Sequence, residues 1–248
     1  LLKANEEVFA LRAPLTADGR TYPPGTFYIR AKGSTRRALD GIATDLGLSF
    51  TGTRERPSDA MRLRPARVGL WDQYGGSMDA GWARWILEQF EFPFERVFAP
   101  ELDAGNLNRR FDVLVFVGGG IPGGGGGGAA PPTDIPAEYQ GQLGRVSADQ
   151  TIPQLRAFVE NGGTVIAIGS SAANLAEHFR LPIADHLGEN GESLPRTKFY
   201  TPGSVLSARF DRSHPITYGM ADYTDVFFDD SPVFRLGPGA GAAGVKAI

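Results

Sequence analysis

The run from Gly162 to Phe179, GGTVIAIGSSAANLAEHF, constrains this chain more than any other. Thr164 to Ile168 is a mostly β-branched apolar segment of the kind that fills a buried strand. Gly169, Ser170 and Ser171 follow as a tight turn of small residues, and Ala172, Leu175, Ala176 and Phe179 then recur on one face of a helix. A strand that passes through so short a turn into a helix is the front of a parallel crossover unit, which commits the chain to a layered α/β architecture. The same geometry can serve chemistry. A nucleophile at the tip of such a turn stands above the sheet, where the helix N-terminus and backbone N–H groups stabilise negative charge. Here the tip reads as Gly169, which has no side chain to offer. Ser170 and Ser171 are the remaining nucleophile candidates, because a slip of one or two residues would raise either hydroxyl to the tip. Serine at this point also suits the start of a helix as a cap.

The alternation continues upstream. Val68 to Trp71 reads as a strand, and Met78 to Phe90 as a helix carrying Met78, Trp82, Trp85, Ile86 and Phe90 on one face. Arg96 to Phe98 is a short second strand. Asp112 to Val117 is almost wholly apolar, as expected for a strand covered on both sides. Thr151 to Gln154 fits a capping box, with Thr151 as cap, Gln154 reaching back and Pro153 in the first turn, ahead of the apolar face Ile152, Leu155, Phe158 and Val159. Open parallel sheets bind ligands beyond the carboxyl ends of their strands. The expected ligand mouth is therefore Gln73, Tyr74, Gly75 and Gly76, then Gly118, Gly119 and Gly120, then Gly169, Ser170 and Ser171. Farther on, Ser204 to Asp211, Asp225 to Phe228 and Pro232 to Leu236 read as short strands, the last two suited to antiparallel additions at the sheet edge.

The front of the chain is different. Val8 to Ala13 and Thr26 to Ala31 have strand character, a helix follows Ser34 or Thr35 and ends at Gly47, and Gly52 to Pro65 reads as a linker. The division expected from this change is a small α+β connector over residues 1–66 and an α/β domain over 67–248.

Composition narrows the chemistry. The absence of cysteine removes disulfides, thiolate zinc ligands and a cysteine nucleophile together. A formal charge of -3, with no clustered basic face, argues against nucleic acid as a partner, and no apolar run is long enough to span a bilayer. The glycine-rich stretch Ile121 to Pro136 lacks the Lys and Ser or Thr of a phosphate loop and reads as a surface insertion. Only His178, His186 and His214 could serve as a base; His178 lies down the packed side of the helix and His214 precedes Pro215 in a turn. His186 and Glu189 have a zinc-like spacing without a third ligand, and Asp225, Asp229 and Asp230 read as solvated turn residues. Trp71, Trp82 and Trp85 read as core or helix-packing residues.

The segments RVGLWDQYGGSMDAGWARWILEQF, FDVLVFVGGGIPGG, IPQLRAFVENGGTVIAIGSSA, KFYTPGSVL and DVFFDDSPVFRL carry a resemblance over essentially the whole chain. The chain resembles the C-terminal region of bacterial zinc carboxypeptidases of the carboxypeptidase A-like family that end in a class I glutamine amidotransferase-like domain. The resemblance implies a flavodoxin-like, mostly parallel sheet with helices on both faces, with its closing strands beyond Ile248. It implies that zinc and the catalytic glutamate belong to a peptidase domain upstream of Leu1, which becomes the expected partner, and that this segment holds no cofactor of its own. It also points to a secreted or periplasmic parent protein. In amidotransferase-like domains the nucleophile is a cysteine, which falls at Gly169 here, and the H-x-E base motif has no counterpart in this chain. The expected role is an accessory, non-catalytic domain with a small-molecule site at the mouth. The alternative is a serine-dependent hydrolase using Ser170 or Ser171.

Overall fold

Short strands, a 3-10 turn at Leu2–Ala4 and one α-helix are the regular structure of the first sixty residues. In the computed structural model, which describes residues 1–123, 134–189, 192–229 and 231–248, these are β1 (Glu7–Leu11), β2 (Leu15–Ala17), β3 (Arg20–Tyr22), β4 (Phe27–Arg30), α1 (Thr35–Leu46) and β5 (Ala60–Arg62). β1 is the central strand of a three-stranded antiparallel sheet, with β4 and β5 on either side, and buries Val8, Ala10 and Leu11. The segment read as a linker therefore contributes a strand. Ala60–Arg62 shows no apolar alternation because, at an edge, backbone pairing with β1 does the holding. Gly47 ends α1 in the left-handed conformation that glycine adopts without strain.

From Val68 the order changes to strand and helix in turn: β6 (Val68–Trp71), α2 (Met78–Gln89), β7 (Phe94–Val97), α3 (Ala99–Asp103), β8 (Val113–Phe116), α4 (Thr151–Glu160), β9 (Thr164–Ala167) and α5 (Ser170–Phe179). The protein is a mixed α/β molecule built on a four-stranded parallel sheet of order β7-β6-β8-β9. Arg67 fixes the entry to β6. Its guanidinium donates to both carboxylate oxygens of Asp112 (Nη2 to Oδ1 at 2.6 Å, Nε to Oδ2 at 3.1 Å) and to the carbonyl of Arg109. Leu70, Trp71, Phe111, Leu114, Phe116, Leu155 and Phe158 form the centre of the core. Gly69 is needed there, because a Cβ would stand 2.7 Å from Leu114 Cδ2 and 3.1 Å from the Phe111 ring.

Two local expectations are corrected. The capping box at α4 does not form: Thr151 is fully buried and donates to Asp103 Oδ1 while accepting from the Ser147 N–H, and Ser147 Oγ accepts from Gln150 N instead. A threonine that can close a long-range bond to Asp103 is drawn away from its own helix end. The helix α2 also faces the other way. Ala80, Ala83 and Leu87 meet the core, leaving Trp82 63% and Trp85 52% exposed, with Met78, Ile86 and Phe90 exposed beside them. Small residues allow α2 to lie close to β6; the bulky stripe would hold it off. Trp71 is buried, as expected.

Beyond α5 come β10 (Ile183–Asp185), the short pair β11 (Gly188–Glu189) and β12 (Glu192–Ser193), β13 (Ser204–Arg209), β14 (Tyr223–Phe228) and β15 (Phe234–Leu236). Among the described residues neither β14 nor β15 joins the parallel sheet: β14 pairs with β13, and β15 runs antiparallel to β10. Hydrogen bonding to nearby partners satisfies these strands without the sheet edge. The chain forms two compact units, Leu1–Pro65 with Val205–Phe227 and Ile248, and Ala66–Ser204 with Phe228–Ala247. The first division falls beside the expected one, whereas Val205–Phe227, expected in the second domain, is part of the first unit.

Candidate functional site

The carboxyl ends of β6, β8 and β9 lie side by side in the sheet, so the segments that follow them, Asp72 to Gly76, Val117 to Gly120 and Ile168 to Ser171, open on one end of the second unit. Gly169 has φ 62 and ψ -136, a conformation that L-residues adopt only under strain and that glycine adopts freely. It is the N-cap of α5, so the tip of the turn is glycine in the structure as in the sequence reading. There is room for a side chain: a Cβ at Gly169 would meet only Gly118 Cα at 3.7 Å and Gly118 N at 4.0 Å.

Both serine hydroxyls are engaged with backbone. Ser170 Oγ accepts from Gly119 N at 3.0 Å. Ser171 is fully buried; its Oγ donates to Val117 O at 2.5 Å and accepts from Ile121 N at 2.9 Å. Its role is to fasten the first turn of α5 to the end of β8. Two other side chains of α5 fix the same loop: Asn174 Nδ2 donates to Ile121 O at 2.7 Å, and His178 Nε2 donates to Pro122 O at 2.8 Å. The hydrogen-bond partners of Ser170 and Ser171 are thus backbone groups, and His178, on the same helix, is spent on a carbonyl. His214 Nδ1 accepts from Ile216 N in the first unit, and His186 is exposed next to β10.

The other mouth residues take defined places. Gly120 lies against Trp71, where a Cβ would come 2.8 Å from Cε3 of the indole, and a Cβ on Gly118 would collide with the Asp79 carboxylate. Gly119 and Gly75 have positive φ and open space around them. Gln73 Nε2 donates to Gly76 O at 3.1 Å, closing the loop after β6, and the Tyr74 ring lies 6.1 Å from that of Tyr139. Two acids missed by the sequence reading belong here. Asp72, 8% exposed, accepts from Gln73 N at 2.9 Å and lies 3.6 Å from Arg96 Nη1, and Asp79 stands beside Gly118. An acid immediately after an apolar strand was the available signal for Asp72.

Elsewhere, Glu189 is paired with Lys198 at 2.5 Å, and among the described residues no group of three or more His, Asp or Glu side chains could hold a metal ion. Asp225 lies in β14 and Asp229 just beyond it; Asp230 and residues 124–133 of the glycine-rich stretch fall outside the described residues. No described helix is long and apolar enough to cross a membrane. Compared with protein-family models, curated proteins and solved structures, the chain matches none of them.

Proposed function

We propose that this chain is an accessory, non-catalytic domain with a flavodoxin-like, class I amidotransferase-like α/β fold, belonging to a zinc metallocarboxypeptidase-like protein whose peptidase domain lies upstream. The observation that carries the reading is the conformation of Gly169. The strained turn that would present a nucleophile is built, with a φ of 62, and the residue in it has no side chain. The strand order β7-β6-β8-β9 supports the fold, since it places a crossover reversal at β6, and ligands bind outside such a reversal. The mouth around Gly119, Gly169 and Ser170 is then a recognition site for a small molecule rather than a centre of turnover, with the backbone N–H groups of the first turn of α5 as its donors.

The serine-dependent alternative uses Ser170, whose hydroxyl is exposed on the same turn. Among the described residues neither hydroxyl has a base as partner, because the hydrogen bonds of both end on backbone groups. A fluorophosphonate serine probe, followed by peptide mapping, tests the choice. No modification of either serine is expected; labelling of Ser170 or Ser171 that disappears on substitution to Ala would replace the accessory reading with the hydrolase.

A further inference from the structure

We infer that the second unit binds a small monocarboxylate with an aromatic or branched apolar body in a cavity that shares only Ser170 with the mouth. The cavity has a volume of about 370 Å³ and is walled by Phe199, Tyr200, Phe228 and Phe234 on its apolar parts, with Arg196 and the first turn of α5 as its polar parts. Rings with a few convergent polar groups are the make-up of a small-molecule site, and a volume near the lower end of about 300–1,000 Å³ suits a ligand of one ring and a short chain.

The charge of the ligand follows from the groups on the wall. Arg196 lies with its guanidinium carbon 5.1 Å from the Tyr200 ring centroid, which orients the planar fork by stacking and leaves its N–H edge without an ion pair among the described residues. The neighbouring cation, Lys198, is already neutralised by Glu189 at 2.5 Å. Ser170 and Ala173 bring the start of α5 to the same wall, and no side chain caps this ten-residue helix. An uncapped helix start presents N–H donors and a partial positive charge to an anion. Among the described residues the wall also carries one acid, Asp185, whose Oδ1 accepts from Leu187 N at 2.8 Å. One planar cation and a helix start, offset in part by one carboxylate, leave a weakly positive wall whose fork suits a planar monoanion better than a more highly charged one. A phosphate dianion would leave charge uncompensated beside Asp185.

The test is isothermal titration of the full chain with 3-phenylpropionate and with its uncharged counterpart 3-phenylpropanamide. The acid should bind at least about ten-fold more tightly than the amide. Arg196→Gln should reduce acid binding to the level of the amide and leave amide binding within about two-fold, since the aromatic wall is kept. Arg196 is exposed, so an unchanged melting temperature shows that the variant is folded. Equal binding of acid and amide, an Arg196→Gln variant that binds the acid as the parent does, or no saturable binding up to about 10 mM would each overturn the assignment. Binding here does not depend on the inertness of the elbow: serine labelling would end the accessory reading and leave this site standing, while loss of carboxylate discrimination would do the reverse.

Discussion

Ser171 Oγ donates to the carbonyl oxygen of Val117 at 2.5 Å, and this bond between a helix start and a strand end holds the mouth of the sheet in shape. Ser171→Ala would remove it together with the bond from Ile121 N, leaving that N–H unpartnered at a fully buried residue and Val117 O with only its bond from Gly120 N. A loss of about 2–3 kcal/mol in unfolding free energy is expected. Ser170→Ala, which gives up one bond at an exposed hydroxyl, should cost less than about 1 kcal/mol. Urea unfolding of both variants measures the difference, and equal losses would contradict the structural role assigned to Ser171.

Gly169→Cys would place a thiol at the tip of the turn, in a protein that has no other cysteine. The space around Gly118 admits the Cβ, but a φ of 62 imposes a backbone strain of about 1–3 kcal/mol. The start of α5 should favour the thiolate. Iodoacetamide should therefore alkylate this cysteine at neutral pH faster than it alkylates a free cysteine peptide. An equal or slower rate would show that the turn does not provide an electropositive tip.

The two exposed tryptophans of α2 and the buried Phe158 predict opposite responses. Trp82→Ala and Trp85→Ala remove side chains whose rings touch each other edge to face at 5.9 Å and are otherwise largely in solvent, so each should change stability by less than about 1 kcal/mol. Phe158→Ala should cost about 3–5 kcal/mol, because the ring is enclosed in the core beside Gly163. Thermal melts rank the three. A large loss at Trp82 would mean that the apolar stripe of α2 is packed.

Acid should weaken the first unit through Glu6. The carboxylate accepts from Thr35 Oγ1 at 2.7 Å and from Ser34 Oγ at 3.1 Å, and the Thr35 bond is the main cause holding its pKa below the ordinary 4.5. A carboxylate whose pKa is lower in the folded state stabilises fully above its unfolded value, and that stabilisation is lost as pH falls through the lowered folded value. Melting temperatures recorded from about pH 6 down to about pH 2 should fall more steeply for the parent than for Glu6→Gln. Parallel curves would show that the bond to Thr35 does not couple to folding.

The main strands and helices of the second unit, β6, α2, β8, α4, β9 and α5, were legible in the sequence because each carries its own period, whereas α3 and β10 to β12 are too short to carry one. Thr164 to Ile168 and Asp112 to Val117 are short apolar runs with no helical alternative, and the glycine at position 169 is visible without coordinates. Side choice was less legible. Helix α2 has two apolar stripes, one of alanines with Leu87 and one of aromatics, and hydrophobicity by itself favours the aromatic one. The structure buries the alanines, since close approach to β6 is decided by side-chain size. Asp72 carried a local signal, its place directly after an apolar strand, whereas nothing local distinguishes Asp79 from any acid in the first turn of a solvated helix.

Local sequence determined the α/β alternation and a turn at Gly169 with no side chain at its tip, because periodicity, chain stiffness and side-chain identity are properties of neighbouring residues. Tertiary structure alone decided that Thr151 would turn to Asp103, that Ala60–Arg62 would pair with β1, and that Arg196, Phe228, Phe234 and the start of α5 would line one cavity. These contacts join residues far apart along the chain. Their energies depend on which partner the completed fold brings within reach, and no local pattern encodes that choice.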